Sequence, residues 1–235
     1  MKRLVVLALL GGCIGDIDPS WQLDHDRIVA VRATPPHISV GEVADLDALI
    51  AHKGAPTDVG FPIGVTAVPS NPPADLFTAV HFDLTKWEID GRLVTEAQLA
   101  EARTALQLAP GAPVPLVVTM QFPDAGQQKM IANKTIYLGD SRANPTMPPV
   151  TINGAIAAAG ASLVIPIDID VPMQVAVDPT WKVSWLTSCG TMHDDDQQHA
   201  FIHVLPADRK AGELVVVIRD PSGGVVWQVW PITAQ

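Results

Sequence analysis

Two apolar runs built to the same plan constrain this chain more than any other feature. Leu116, Val117, Val118, Thr119, Met120, Gln121 and Phe122 lead into Pro123, Asp124, Ala125 and Gly126, and residues 129–138 return as a second apolar stretch. Leu214, Val215, Val216, Val217, Ile218, Arg219 and Asp220 lead into Pro221, Ser222, Gly223 and Gly224, and residues 225–232 return in the same way. Each reads as a β-hairpin whose turn takes Asp for local capping and Gly for positive φ. A plan that closes both halves of the chain predicts two copies of one β-rich unit.

The openings of the halves point the same way. Residues 27–33 alternate as a strand until Thr34, Pro35 and Pro36 break it. In residues 43–51, Leu46, Ala48 and Ile50 fall on one face and Asp45 and Asp47 on the other, the mark of a strand with one wet side. In the second half, residues 150–156 are followed by Gly160 and by Leu163, Ile165, Ile167 and Ile169 in alternation. Counted from Gly41 and Gly160, Leu46, Ala48 and Ile50 share offsets with Ile165, Ile167 and Ile169, so a strand over 162–169 is expected to repeat the earlier one. Residues 140–149 hold three prolines and little to pack, and read as a linker open to protease at Arg142.

A length of 235 residues suits two domains. The fold expected is all-β: two tandem immunoglobulin-like β-sandwich domains, residues 27–139 and 150–235, joined by the linker 140–149. The first carries a helical insertion, because Thr95 and Gln98 can form a capping box and Leu99, Ala102 and Leu106 then share a helical face. Trp185 and Trp227 are expected between the sheets.

The N-terminus reads as targeting. Lys2 and Arg3 precede an apolar run over residues 4–10, and Leu10, Gly11 and Gly12 place small side chains before Cys13. That order predicts a bacterial lipoprotein signal peptide over residues 1–12, lipidation at Cys13 and a polar tether over 13–26. The expected partner is a membrane reached through the N-terminal lipid, at the outer membrane or cell surface of a bacterial envelope. A run of seven is too short to span a bilayer, which takes about 20 residues. The formal charge of −10 argues against nucleic acid as a partner. With Cys13 acylated, Cys189 has no disulfide partner in the chain.

Residues 189–203 concentrate ligand-type side chains. Cys189, His193, His199 and His203 could enclose Zn²⁺, with an aspartate as an alternative oxygen ligand, although the spacing is not that of a known zinc motif. The plainer expectation is a solvated acidic loop joining two strands, with no cofactor. Cys189 and His193 could pair as thiolate and base, but no third group orients them; Asp168 and Asp170 share one strand, whereas a glycosidase opposes its carboxylates across a cleft. The chain is therefore expected not to be an enzyme but a spacer or protein-interaction module, its partner an unidentified envelope protein. The alternative is a glycan or peptidoglycan binder stacking sugars on Trp21, Trp87 or Trp230, or a metal binder.

Cys13, the opening Arg27-Ile28-Val29-Ala30-Val31-Arg32-Ala33-Thr34-Pro35-Pro36, the Asn144-Pro145 linker and the ending Val217-Ile218-Arg219-Asp220 with Gly223-Gly224-Val225-Val226-Trp227 together resemble uncharacterised lipoproteins of the myxobacterial type. The resemblance implies a surface or periplasmic protein with tandem immunoglobulin-like domains. It spans most of the chain after Cys13 except residues 53–112, and its motifs are structural, so it lends no catalytic residue and no ligand.

Overall fold

The computed structural model describes residues 19–68, 74–123 and 129–235. The signal peptide, Cys13 and the turn residues Asp124, Ala125 and Gly126 lie outside the described residues.

The first domain is built from β1 (Arg27–Thr34), β2 (His37–Ile38), β3 (Val43–His52), β4 (Ala55–Gly60), β5 (Gly64–Ala67), β6 (Val80–Phe82), β7 (Trp87–Asp90), β8 (Val114–Phe122) and β9 (Met130–Leu138). One sheet runs β1-β3-β7-β6, with β4 folded back on β3; the other runs β2-β9-β8-β5. All pairings are antiparallel except β2 with β9, where His37 and Ile38 lie parallel to Tyr137 and Leu138. The second domain comprises β10 (Val150–Ile152), β11 (Ala155–Ile156), β12 (Leu163–Ile165), β13 (Asp170–Val175), β14 (Lys182–Thr187), β15 (Thr191–His193), β16 (His199–His203), β17 (Ala211–Arg219) and β18 (Val225–Ala234). Its sheets run β11-β10-β13-β16-β15 and β12-β18-β17-β14, and β12 is again parallel to the last strand.

Both domains therefore follow one topology. In the lettering of immunoglobulin-like domains, each pairs strands A-B-E-D in one sheet and A′-G-F-C in the other. The last two strands of each form the long hairpins legible in the sequence, with β8 on β9 and β17 on β18 in unbroken register. In the β17–β18 turn, Asp220 Oδ1 accepts from the backbone N–H of Ser222 and Gly224 at 2.7 and 2.9 Å, and Gly223 takes φ +84°. The helix α1 (Glu96–Ala105) lies between the seventh and eighth strands, with Thr95 and Gln98 closing its capping box and Leu99 and Ala102 buried.

One expected strand divides. The run 162–169 yields only β12, in the A′-G-F-C sheet; Asp168 then takes φ +62° and the chain crosses to β13 in the other sheet. The counterpart of β3 is thus β13, not the run after Gly160, and Ile169 is exposed.

Each sandwich encloses its own core, the first around Leu46, Ile50, Leu116, Phe122 and Ile136, the second around Val171, Met173, Trp185, Ile218 and Trp230. A third buried cluster lies between the domains. Ala30, Leu49 and Ala51, on the outer face of β1 and β3, meet Leu186, Val215, Val217 and Val225, on the outer face of the second domain's A′-G-F-C sheet, with Leu23 among them. Two sandwiches stacked face to face in this way give four layers of sheet rather than two beads on a string. Trp227 belongs to this interdomain cluster, with the Arg32 guanidinium 3.9 Å over its ring, and not to the space between its own two sheets.

The tether and linker also depart from expectation. Trp21 packs on the second core, Leu23 N–H donates to Thr187 O at 3.0 Å and Thr187 N–H donates to Trp21 O at 2.9 Å, so this segment lies on the free edge of β14. The expected tether 13–26 is not free where it is described: residues 20–23 are held to the second domain by hydrogen bonds and apolar burial, and Asp26 Oδ1 accepts from Lys53 N–H of the first at 2.8 Å. In the linker, Asp140 meets His37 Nδ1 at 2.7 Å, Arg142 donates to Ser222 Oγ, and Asn144 donates to Ala33 O while accepting from Val225 N–H, each at 2.8 Å. Gly224 is required beside it, since a Cβ there would come within 2.7 Å of Pro145 Cδ. The linker is pinned at Asp140, Arg142 and Asn144, and between them these residues reach both domains.

Trypsin should accordingly leave Arg142 uncut in the native chain. Leu49→Asp, which puts a charge in the third core, should open that bond, read as two domain-sized fragments by mass spectrometry.

Candidate functional site

The residues that the sequence singles out as metal ligands do not meet. Cys189 is 1% exposed within the second core and its thiol donates to Arg209 O. His199, Phe201 and His203 alternate outward on β16, and His193, opposite Phe201, faces out from β15. Cys189 thus lies inside the sandwich and the histidines outside it. His199 and His203 are four strand residues apart, about 13 Å, too far to share an ion. His203 instead places Nδ1 2.7 Å from Asp170 Oδ1 and Nε2 3.9 Å from Asp168 Oδ1. Among the described residues, no group of three or more His, Cys, Asp or Glu side chains is placed to hold a metal. The zinc set Cys189, His193, His199 and His203 is therefore corrected, and with it the Cys189 and His193 thiolate pair.

Burial pushes the Cys189 thiol pKa up, which keeps it protonated and inert. A thiol reagent should label Cys189 only after the chain is unfolded.

The tryptophans proposed to stack sugars are also committed elsewhere. Trp230 is fully buried and its indole N–H donates to Ala158 O at 2.9 Å; Trp21 packs on the second core; Trp87 is half-buried against Phe82. Trp87 belongs to the first domain and Trp230 is enclosed in the second, so the three form no common platform.

The site that geometry does assemble is a cleft of about 670 Å³ at the seam between the domains. Residues 28–31 of β1 form one wall, Ile131, Ala132, Lys134 and Tyr137 of β9 another, and the β17–β18 turn with Lys182 and Arg219 closes it from the second domain. Neither strand wall pairs with the other, because β1 belongs to one sheet and β9 to the other; the cleft occupies the open side of the first sandwich.

Three cations line it. Lys134 is 8% exposed, and its ammonium donates to Gly223 O across the seam. Arg219 donates from Nη1 to Ser184 Oγ at 3.2 Å and from Nη2 to Val29 O at 2.9 Å, also across the seam. Lys182 stands directly opposite Arg219 in the β14–β17 register, a like-charge pair of the kind that costs stability. The cleft contains one carboxylate, Asp220, and its Oδ1 is occupied by the turn N–H groups. None of the three cations has a carboxylate within salt-bridge distance among the described residues.

Burial pushes the Lys134 pKa down from 10.5 to about 8, an effect that Asp220 opposes and the charge on Arg219 reinforces. Burial likewise pushes Arg219 below its ordinary value. Next to the seam, His37 is buried and stacked on Tyr137 at 4.5 Å, with Nδ1 facing Asp140 and Nε2 2.8 Å from Ser222 O, so both ring nitrogens serve the domain contact.

A signal for this site exists in the sequence. On β9, Ala132, Lys134, Ile136 and Leu138 share one strand face, so Lys134 is a cation on the face that turns inward. On β17, Arg219 shares the face of Val215 and Val217.

A lysine whose pKa falls this far on folding destabilises the fold by about 3 kcal/mol while it is charged. The folded state loses the proton first, so the penalty is complete below pH 8 and fades as pH rises from about 8 to 10.5. Lys134→Met should therefore raise stability at pH 7 by about 1–2 kcal/mol, less than the full penalty because Gly223 O loses its donor. The gain should vanish by pH 10.5, measured as the difference between urea unfolding curves of the two proteins.

No protein-family model matches the chain, and no curated protein does. Among solved structures, it is similar to murine CEACAM1b, at 15% identity over 88% of this chain and 100% of that one, with a TM-score of 0.29. It is also similar to the tandem Ig repeats of Dlar, at 11% identity over 88% of this chain and 97% of that one, TM-score 0.30. A third, the protocadherin GammaB4 extracellular domain, is 13% identical over 89% of this chain and 34% of that one, TM-score 0.25.

Proposed function

We propose that the chain is a noncatalytic lipoprotein of the bacterial cell envelope, held at the outer membrane or cell surface by acyl chains on Cys13, that presents its two domains as a spacer or protein-interaction module. The observation that carries the reading is the third apolar cluster, which fixes the two sandwiches against each other. A module that holds a binding surface at a set distance from a membrane needs that rigidity; a chain of loosely jointed domains would lose it to interdomain motion. The order of charge, apolar run and small residues before Cys13 supports the anchor. No helix among the described residues is long and apolar enough to cross a membrane.

The first described residues, 19–23, lie along the second domain, so the acyl chains would hold the body from that side. Two or three acyl chains, each burying CH₂ groups at about 0.8 kcal/mol apiece, make attachment stable where one chain is marginal. The full chain expressed in a bacterial envelope should enter the detergent phase on partitioning and incorporate labelled palmitate. Cys13→Ala should abolish both, and detergent partitioning retained in that variant would overturn the anchor.

A further inference from the structure

The seam cleft holds more positive charge than its own walls answer. An ammonium carries three N–H donors and a guanidinium five. Lys134 gives one donor to Gly223 O, and Arg219 gives two, to Ser184 Oγ and Val29 O. The remainder lie in a pocket whose one carboxylate, Asp220, has its Oδ1 taken up by its own turn. Neutral donors would serve the contacts to Gly223 and Val29 equally well, so holding the domains together does not account for two like charges, Lys134 buried and Arg219 half-buried. A chain of formal charge −10 has carboxylates to spare, yet Asp220 alone stands among the described residues that line this cleft, against three cations.

We propose that this cleft binds a carboxylate carried on an apolar body, with the charged group held between Lys134 and Arg219. The apolar part would lie along Ile28, Val31, Ile131 and Ala132. A singly charged oxyanion fits better than a phosphate dianion because Asp220 shares the cleft and repels the second charge. Lys182, opposite Arg219 at the rim, adds attraction on approach. The proposal rests on the interaction-module reading but not on the lipid anchor, and it supplies the chemistry that such a module would recognise at this seam.

The test uses the full chain in detergent micelles and two pairs of probes: hexanoate with hexanamide, and a six-residue apolar peptide with a free C-terminal carboxylate with its C-terminal amide. Titration calorimetry should show both acids binding and each amide binding at least about tenfold more weakly, the factor expected when a charge-assisted contact is lost. Lys134→Met and Arg219→Gln should each weaken the acids by about tenfold or more, with thermal unfolding reporting that the fold persists. Lys182→Glu, at the exposed rim, should weaken them without touching either buried contact. Tighter binding of the peptide acid assigns the site to the chain end of a partner protein, and tighter binding of hexanoate assigns it to a free carboxylic acid. Equal binding of acid and amide, displacement of the acids by inorganic phosphate at equal concentration, or no binding of any probe at about 10 mM overturns the proposal. In the last case Cys13-dependent partitioning and palmitate labelling still judge the envelope reading independently.

Discussion

The contact between the outer face of β1 and β3 and the outer face of β14, β17 and β18 governs the rest of this structure. Val215 and Val217 are fully buried there although they point away from their own sandwich. At about 25 cal/mol per Å² of apolar surface, several such side chains removed from water outweigh the ordering of a short linker. Once the sheets are stacked, the linker has no slack. The turn at Asp220 is pressed against β9, the backbone of β1 receives Arg219, and the cleft between them takes its shape as a by-product of docking.

Electrostatics runs against this packing at one place. Most charge on the chain is acidic and solvated, whereas Lys134 and Arg219 are drawn out of water at the seam with carbonyls and a hydroxyl as their partners. Carbonyl dipoles compensate a buried cation only in part. Local conflicts of this kind concentrate where a surface has work other than folding.

Elements whose signals are local were legible in the sequence. The two closing hairpins were, because strand period and turn chemistry reside in adjacent residues, and α1 was, because Thr95 and Gln98 announce its start. The split at Asp168 was not, since alternation marks faces of a strand and says nothing about which sheet receives it. The interdomain core was written in the unbroken run Leu214, Val215, Val216, Val217 and Ile218, for a strand buried on both sides has no wet face to alternate with. The metal set failed for a related reason: closeness along the chain placed Cys189 beside His193, while the sandwich wall set them on opposite sides. Lys134 was visible only as one cation on an inward strand face, a pattern that acquires meaning once the second domain arrives to cover it.

The docking of residues 21–23 on β14 couples the two ends of synthesis. Leu23, Leu49 and Ala51 leave the ribosome early, and their apolar partners Leu186, Val215 and Val217 come near the end. At about 5–20 residues per second, the earlier surface waits on the order of ten seconds for its cover. Throughout that interval the first sandwich offers an apolar sheet face and the second does not yet exist. Under the proposed envelope location, export before that cover is made would leave the face bare, and shielding by a holding chaperone would then be a demand set by the order of these strands.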